Sequence, residues 1–457
     1  MRLCIVVAVS TLLAVVPAAS AAPLGHAGRW LTDAQGRVVI LHGTNQADKS
    51  APFEPGLTEA EMAGLADDGM NALRIGVEWE GLEPTPGHYD DAYVGRILAF
   101  ARRLAAHGIA PLIDFHQDQY GPVTGGNGIP AWATFTDGAP GQPDCGFGCN
   151  YLSRPDVQRA FDNFWLDHAA PDGIGIQEHF AAAAAHLAAA LQDVDDLLGY
   201  EFINEMWPGS QYGTCLPAGC PAFDKLLLVP FDAKVTAALR GADPRHLIFA
   251  EPHTLFNEGV KSWTDPLPDT GAGFAFHVYC ELGSADATAE KPGGAQACPA
   301  QEDLATANAV EHVGETHEAL LMTEFGATPA DRPVRNITAL ADQRMIPWLW
   351  WEVHEYYRES RPLLVRPYPQ AIAGTPTSWA FDPDTKRFTL TYATTPAGAA
   401  LDPGADTVVY VPDYQYPHGY TASVTGAHLV TEPGTQHLVL RSEPGAASVS
   451  LTVTPTS

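Results

Sequence analysis

The sequence predicts a (β/α)₈ barrel followed by a C-terminal antiparallel β-sandwich. Between Gly28 and about Tyr357, short apolar runs alternate with alanine- and leucine-rich helical stretches, as in repeated βα units. After Arg366 the pattern changes to short alternating segments separated by glycine, proline and aspartate, which is typical of antiparallel strands. Two of the apolar runs end on glutamates, Glu205 and Glu324. Only a closed fold brings such distant strand ends to one face.

Eight candidate strands lie in the first part of the chain, which is the number of strands in a closed βα barrel. The predicted strands are Val38–His42, Asn71–Gly76, Ala110–Phe115, Leu198–Ile203, Leu247–Glu251, Phe274–Tyr279, Leu320–Glu324 and Pro347–Trp351. The predicted helices between them include Thr58–Asp68, Val94–His107, Phe180–Asp193 and Phe231–Arg240. The long interval between the third and fourth strands predicts loop insertions.

The second part contains predicted strands of alternating polarity, as in a sandwich with one buried face per sheet. They are Arg387–Tyr392, Thr407–Tyr410, Ala427–Thr431, Gln436–Arg441 and Ser448–Val453. The predicted division is a signal peptide at 1–21, a catalytic barrel at 22–362 and a sandwich domain at 363–457. The junction contains Pro362, Pro367 and Pro369 and is too short for a flexible tether, so the two domains are expected to pack together.

The N-terminus has the pattern of an export signal. Arg2 precedes the apolar run Leu3–Val16, and Pro17 and small residues through Ala22 follow. A membrane anchor is the alternative, but the run is shorter than the roughly 20 residues that span hydrocarbon. We therefore expect a cleaved signal and a secreted protein.

The charge balance restricts the partners. The 457 residues include 54 acidic and 25 basic side chains, for a formal charge of −29. Such a protein repels nucleic acid and anionic lipid head groups, so transient contact with a lipid surface or micelle would depend on exposed apolar groups. We expect a monomer that binds no nucleic acid.

Cysteine spacing points to disulfides. Cys4 lies in the predicted signal, and the other six of the seven cysteines form three close pairs, Cys145/Cys149, Cys215/Cys220 and Cys280/Cys298. Neighbour pairing is the simplest connectivity for an exported chain. Free thiols remain an alternative, and a zinc site is disfavoured because the spacings are not those of paired zinc knuckles.

The two strand-terminal glutamates suit glycosidic bond cleavage. A carboxylate at the end of a buried strand costs solvation free energy unless it is paired or used, so two in similar positions indicate a shared site. In a retaining hydrolase two carboxyl groups about 5 Å apart act as nucleophile and acid/base. The alternative is a pair of buried, ion-paired glutamates in a protein without catalytic activity.

Further motifs carry a resemblance to a known family. Arg74 within Asn71–Ile75, Asn204-Glu205 after the fourth strand, His277-Val278-Tyr279, Glu324 and a tryptophan at the eighth strand stand in the order found in glycoside hydrolase family 5 of clan A. The segments Asp114–Gly121, Gly126–Trp132 and Arg366–Pro376 resemble the endoglycoceramidase branch of that family, in which a sandwich domain is expected. The resemblance covers nearly the whole mature chain.

The resemblance implies roles for individual residues. Glu205 corresponds to the acid/base and Glu324 to the nucleophile, and the negative charge of Glu324 is expected to raise the pKa of Glu205. The positions implied to bind substrate are Lys49, Arg74, Asp114, His116, Asn204, His277, Tyr279 and Trp351. Trp350 is the alternative to Trp351 because the strand register is not fixed. His116-Gln117-Asp118 resembles a metal motif but offers too few ligands, and no cofactor or metal is expected.

The leaving group is the more difficult part of the function. Met206-Trp207-Pro208 follows the acid/base, where related barrels more often have proline, and Pro130, Trp132 and Phe135 are predicted to line the opposite wall of an apolar slot. The favoured function is a retaining endo-β-glycosidase that releases oligosaccharide from glycosphingolipids. The alternatives are a β-glycosidase of another glycolipid or sterol glucoside, an endo-β-glucanase, and a binding protein without activity.

Overall fold

The computed structural model describes residues 23–279 and 294–456, and eight parallel strands close into a barrel at its centre. Each strand pairs with the next along the chain, and the eighth pairs with the first. The barrel strands are His42–Gln46, Ala72–Glu78, Ala110–His116, Gly199–Ile203, Leu247–Ala250, Ala272–Val278, Ala319–Phe325 and Trp348–Trp350. The predicted barrel is confirmed. The predicted signal peptide lies outside the described residues.

Helices surround the barrel and pack apolar faces against it. Helix Glu59–Asp67 begins with a capping box in which Thr58 and Glu61 satisfy each other's backbone N–H groups. The other α-helices are Trp79–Leu82, Asp91–Ala106, Phe147–Ser153, Pro155–Trp165, Ile176–Leu191, Pro221–Phe223, Val229–Ala242, Gly294–Thr316, Asp331–Arg344 and Tyr357–Leu364. Shorter 3₁₀ or π segments are Pro122–Thr124, Ala131–Ala133, Gly209–Thr214, Asp224–Leu228 and Thr254–Glu258. Within the described ranges, no helix has the length and apolar character needed to cross a bilayer.

The C-terminal part forms two antiparallel sheets around a second apolar core, as predicted. One sheet has the order Gly25–Ala27, Trp30–Thr32, Val38–Val39, Tyr368–Ile372, Thr407–Tyr410, His437–Ser442 and Ala427–Leu429. The other has the order Thr375–Asp382, Arg387–Ala393, Ser448–Pro455 and Tyr420–Thr425. The first sheet therefore contains strands from both ends of the described chain.

The predicted first barrel strand, Val38–His42, is wrong. Val38 and Val39 pair with Ile372 and Ala371 in the sandwich, and the barrel strand begins only at His42. An apolar run predicts a buried strand but not which of two cores buries it. The barrel strand itself, His42–Gln46, is polar because it supplies side chains to the barrel interior.

The two domains pack directly against each other. Buried Asp342, on helix Asp331–Arg344, accepts hydrogen bonds from Trp379 Nε1 and the Phe381 backbone N–H, both at 3.1 Å. The hydroxyl groups of Tyr368 and Tyr410 donate to backbone carbonyls of Gly69 and Asp67 at 2.6 Å. These contacts agree with the short junction read from the sequence.

Candidate active site

Glu205 and Glu324 meet at the C-terminal end of the barrel. Glu205 follows the fourth barrel strand and Glu324 lies near the end of the seventh. Both are buried, and their carboxylate oxygens lie within 4.8 Å of each other and of a ring nitrogen of His277. This separation suits a retaining glycosidase rather than an inverting one, in which the carboxyl groups are roughly 6.5–9.5 Å apart.

The backbone at Glu205 is held in an unusual conformation. Its φ of 48° lies in the left-handed region, which non-glycine residues adopt at a cost in free energy. Its N–H donates to Glu251 at 3.1 Å, and its carbonyl accepts from Thr254 Oγ1 at 2.5 Å and Gln117 Nε2 at 3.1 Å. These hydrogen bonds fix the direction in which the Glu205 side chain points.

Arg74 is the centre of the charged network. Its guanidinium is fully buried and contacts side-chain oxygens supplied by five other barrel strands or the residues directly after them. The partners are Glu324 at 2.5 Å, Glu201 at 2.6 Å, Asp114 and Asn204 at 2.9 Å, Glu251 at 3.1 Å and Asn45 at 3.3 Å. Burial alone would lower the pKa of Arg74, but the surrounding carboxylates raise it well above its usual range, so the site has a permanent positive charge.

Glu324 is arranged as an oriented carboxylate. One oxygen accepts from Arg74 at 2.5 Å and the other from the Tyr279 hydroxyl at 2.9 Å. Burial raises the pKa of Glu324, whereas His277 and Arg74 oppose that rise by favouring the ionised form. Two donors on separate oxygens leave the carboxylate with a fixed orientation toward the space above the barrel.

Glu205 has the raised pKa of a general acid. Burial is the largest cause and the charge of Asp118 the next, and together they raise the pKa of Glu205 to about 7. The sequence led us to expect Glu324 as the cause, whereas burial is the main one. Asn257 Nδ2 donates to Glu205 at 2.6 Å and opposes the rise. His277 Nδ1 lies 2.8 Å from the same oxygen, and burial lowers the pKa of this histidine to about 4, so it is neutral.

A second group of predicted residues forms one wall beside the glutamates. Nδ1 of His116 forms a hydrogen bond with Asp114 at 2.7 Å, and the His116 ring stacks on Trp351 with ring centroids 5.1 Å apart. Lys49 bonds Asp118 at 2.5 Å, and its ammonium lies 4.5 Å from the Trp351 ring centre. Burial lowers the pKa of His116, but the carboxylates of Asp114 and Asp118 outweigh it and raise the pKa to about 10. The wall is thus a charged hydrogen-bonding surface with one aromatic face.

The structure separates the two candidate tryptophans. Trp350 is fully buried and packs against Phe325 with ring centroids 5.4 Å apart, outside the polar wall. Trp351 is partly exposed and lies between His116 and Lys49. Trp351 is therefore the ring available to a sugar. All ten residues predicted for the site belong to one connected network of contacts.

Several residues of this network were missed from the sequence. Glu201, Glu251, Asn257 and Gln117 all contact the catalytic pair or Arg74. A signal existed for Glu251, since the fifth predicted strand also ends on a glutamate. Asn257 lies on the short 3₁₀ segment Thr254–Glu258, where no sequence periodicity indicates the direction of a side chain.

Two of the three predicted disulfides are present, Cys145–Cys149 and Cys215–Cys220. The predicted Cys280/Cys298 pair lies outside the residues whose side chains are described. Among residues 23–279 and 294–456, three buried clusters bring metal-ligating atoms within 4.8 Å of one another. Glu205, His277 and Glu324 form one, Glu201 and Glu251 with His277 form another, and Cys220 in the third is already bonded to Cys215.

Comparison with known proteins adds to this geometry. The family model described as cellulase (glycosyl hydrolase family 5) matches residues 32–356, and that of the glycoside hydrolase family 5 C-terminal domain matches residues 366–454. Endoglycoceramidase I of Rhodococcus hoagii is 33% identical over 436 residues, covering 92% of this chain and 85% of that protein.

Solved structures agree with the sequence relatives. Endo-glycoceramidase II from Rhodococcus sp., solved in complex with ganglioside GM3, is 28% identical with a TM-score of 0.79, over 94% of this chain and 99% of that chain. A glucosylceramidase of Rhizopus delemar is 27% identical over 41% of this chain and 36% of its own length. The first two similarities extend across both the barrel and the C-terminal sheets, whereas the third is partial.

Proposed function

The chain belongs to glycoside hydrolase family 5, and on that premise we propose that it is a retaining endo-β-glycosidase that cleaves the bond between oligosaccharide and ceramide in glycosphingolipids. The observation that carries the proposal is the glutamate pair, whose carboxylate oxygens lie within 4.8 Å across the barrel mouth. The assignment of ceramide as the leaving group is supported by relatives named endoglycoceramidase that match the chain over both domains.

The reaction proceeds by double displacement. Glu324, oriented by Arg74 and Tyr279, attacks the anomeric carbon while Glu205 protonates the departing ceramide oxygen. This step breaks the glycosidic bond and leaves the oligosaccharide esterified to Glu324. Glu205, now ionised, removes a proton from water, which attacks the same carbon and restores both glutamates. Asn204, held by Arg74, is in position to contact the 2-hydroxyl of the reacting sugar.

The leaving group is accommodated beside Glu205. A crevice next to it is lined mainly by Tyr151, Trp207, Thr254, Leu255 and Asn257. Its volume of about 20 Å³ holds about one water molecule, so it marks only the inner end of a path for the leaving group and would have to widen to admit a lipid chain. Pro130, Trp132 and Phe135 are not among the residues that line this crevice, and the Trp132 ring packs on Trp79 and donates to the Glu83 carbonyl at 2.9 Å. The crevice instead lies between the segments that follow the third, fourth and fifth strands.

An exposed apolar surface adjoins this side of the barrel, and we propose that it contacts the lipid aggregate. Leu216, Leu226 and Trp263 are 44%, 71% and 47% exposed. Cys215–Cys220 closes the loop of Leu216, and Trp263 donates to the Ala218 carbonyl of that loop at 3.2 Å. The Trp263 backbone N–H also donates to Asp224 at 2.7 Å, at the start of the segment Asp224–Leu228 that carries Leu226. The neighbouring Lys225 is paired with Asp265 at 2.5 Å. In a chain of charge −29, such a neutral apolar surface is suited to zwitterionic lipid.

We further propose that the protein is secreted after cleavage of residues 1–21 and acts as a monomer. The two disulfides support export, because disulfides persist in oxidising compartments. The N-terminal sequence of the protein recovered from culture medium tests the cleavage, and light scattering of the purified protein tests the oligomeric state.

The decisive experiment is a product assay in detergent on glucosylceramide, lactosylceramide, ganglioside GM3 and a β-glucan, with Glu324→Gln as the matched inactive control. Free ceramide together with an intact oligosaccharide from GM3 is the expected result. Stepwise release of single sugars, or cleavage of the glucan alone, would replace the proposal with a glucosidase or glucanase. The anomer first released from lactosylceramide, read by NMR, tests retention.

A further inference from the structure

Glu78 is a buried acid that the reaction described above does not use. It is the last residue of the second barrel strand, 1% exposed, and stands in register with His116 on the third strand. Alternation along the strand puts Glu78 on the same inward face as Arg74. Four residues at about 3.3 Å per residue separate the two by about 13 Å along the strand, and because such strands tilt about 36° from the barrel axis, Glu78 lies about 11 Å nearer the mouth than Arg74.

Within the described part of the chain, neither carboxyl oxygen of Glu78 has a hydrogen-bond partner. The residue precedes helix Trp79–Leu82 but its side chain does not cap that helix. The two cations that act on Glu78, His116 and Lys49, hydrogen-bond Asp114 and Asp118 instead. A buried carboxyl group without a partner destabilises a folded protein, so neither capping nor ion pairing explains its presence.

The surroundings of Glu78 are those of a sugar-binding surface. The charged groups that act on it are His116, Asp118, Lys49 and Glu80, and the first three belong to the wall that carries Trp351. Burial, the largest cause, raises the pKa of Glu78 to about 8. The protonated group can donate one hydrogen bond and accept another, which matches a sugar hydroxyl.

The position in the barrel distinguishes the sugar side from the lipid side. Gln46, Glu78 and Glu352 each have an unpartnered buried side-chain oxygen, and they lie on the first strand, on the second strand and two residues after the eighth strand. The lipid crevice lies beyond the fourth and fifth strands, on the opposite side of the catalytic pair. Glu78 thus lies on the side of the barrel away from that crevice, where the proposed reaction places the oligosaccharide.

We propose that Glu78 is a specificity-determining residue that hydrogen-bonds a hydroxyl of the second sugar from the cleaved bond. This inference rests on the proposed function for the direction in which the oligosaccharide lies. The first sugar is held by the groups around the glutamates, and Glu78 lies beyond Arg74 at the end of its strand, beside His116 and the wall that carries Trp351.

The test compares one-sugar and two-sugar substrates. Wild type, Glu78→Ala and Glu78→Gln are assayed on 4-methylumbelliferyl β-glucoside and β-lactoside, with Glu80→Gln as the neighbouring control. Glu78→Ala is expected to lower kcat/KM on the lactoside about 10- to 100-fold and to change the glucoside less than about twofold. Glu78→Gln keeps a donor and an acceptor and should recover most of the lactoside activity.

Equal losses on both substrates, or no loss on either, would overturn the proposal. If wild type does not turn over the glucoside, the comparison is made by calorimetric binding of glucose and lactose to Glu324→Gln with and without Glu78→Gln or Glu78→Ala. If Glu78→Ala does not fold, Glu78→Met supplies an apolar side chain of similar length. These soluble substrates contain no ceramide, so failure of the ceramide proposal appears separately, in the glycolipid assay.

Discussion

Asn257→Leu tests whether Glu205 is the general acid. Asn257 donates to Glu205 at 2.6 Å and favours its ionised form. A hydrogen bond to a charged group contributes about 1.5–3 kcal/mol, and one pKa unit corresponds to about 1.4 kcal/mol. Because His277 remains 2.8 Å from the same oxygen, we expect only the lower end of this range. The pKa of Glu205 should rise from about 7 by about one unit.

The assay follows kcat/KM against pH on phenyl β-lactoside, whose leaving group needs a proton. Glu205 must be protonated to act as the acid, so kcat/KM falls as the pH rises through the pKa of Glu205. A higher pKa therefore moves this basic limb of the pH profile to higher pH. We therefore expect the limb of the variant about one unit above that of wild type. On 2,4-dinitrophenyl β-lactoside, which needs no proton, this limb should be absent.

Asn308→Leu serves as the matched control. Asn308 donates to the backbone carbonyl of Gly259 at 2.9 Å, and Gly259 directly follows the segment that carries Asn257. Asn308 has no hydrogen bond to Glu205. The basic limb of the pH profile of Asn308→Leu should coincide with that of wild type. A limb in Asn257→Leu that does not move, or one that persists with the dinitrophenyl substrate, would refute Glu205 as the acid.

Three further predictions concern the catalytic pair and the strand beside it. Glu324→Gln should reduce turnover at least about 10⁴-fold while lactose binding, measured by calorimetry, stays within about fivefold. Glu205→Ala should lose activity on phenyl β-lactoside, and azide should restore turnover of the dinitrophenyl substrate with a β-lactosyl azide product; an α product would contradict retention. Gly326→Ala should lower the free energy of unfolding, measured in urea, by about 2–3 kcal/mol, because Gly326 has a φ of 109° and an added Cβ would lie 2.2 Å from the Trp350 ring. Gly314 has open space around it, so Gly314→Ala should cause no such loss.

The barrel and its catalytic pair were predictable because their signals are local. A buried strand is a short apolar run wherever it pairs, and a glutamate at its end marks the barrel mouth. Helix Glu59–Asp67 was predicted to within one residue at each end because Thr58 and Glu61 encode its start directly. The same locality explains why Val38–Val39 was assigned to the barrel rather than to the sandwich.

The supporting residues could not be predicted from local signals. Glu201 lies within the apolar fourth barrel strand and accepts a hydrogen bond from Arg74 on the second strand. Only the closed barrel brings these two side chains together. Asn257 reaches Glu205 from a 3₁₀ segment, where side-chain direction depends on the loop path. The main cause of the Glu205 pKa, burial, likewise depends on the assembled barrel rather than on any neighbour in the sequence.

The pairing of Val39 with Ala371 joins segments 332 residues apart (371 − 39). Such a contact closes a very long loop, and it can form only after about four-fifths of the chain has been synthesised. Until then, strand Tyr368–Ile372 has an open edge, the kind of edge to which another chain can add a strand. Loss of residues 25–39 during processing would leave that edge open permanently and would promote aggregation, even though no catalytic residue had been removed.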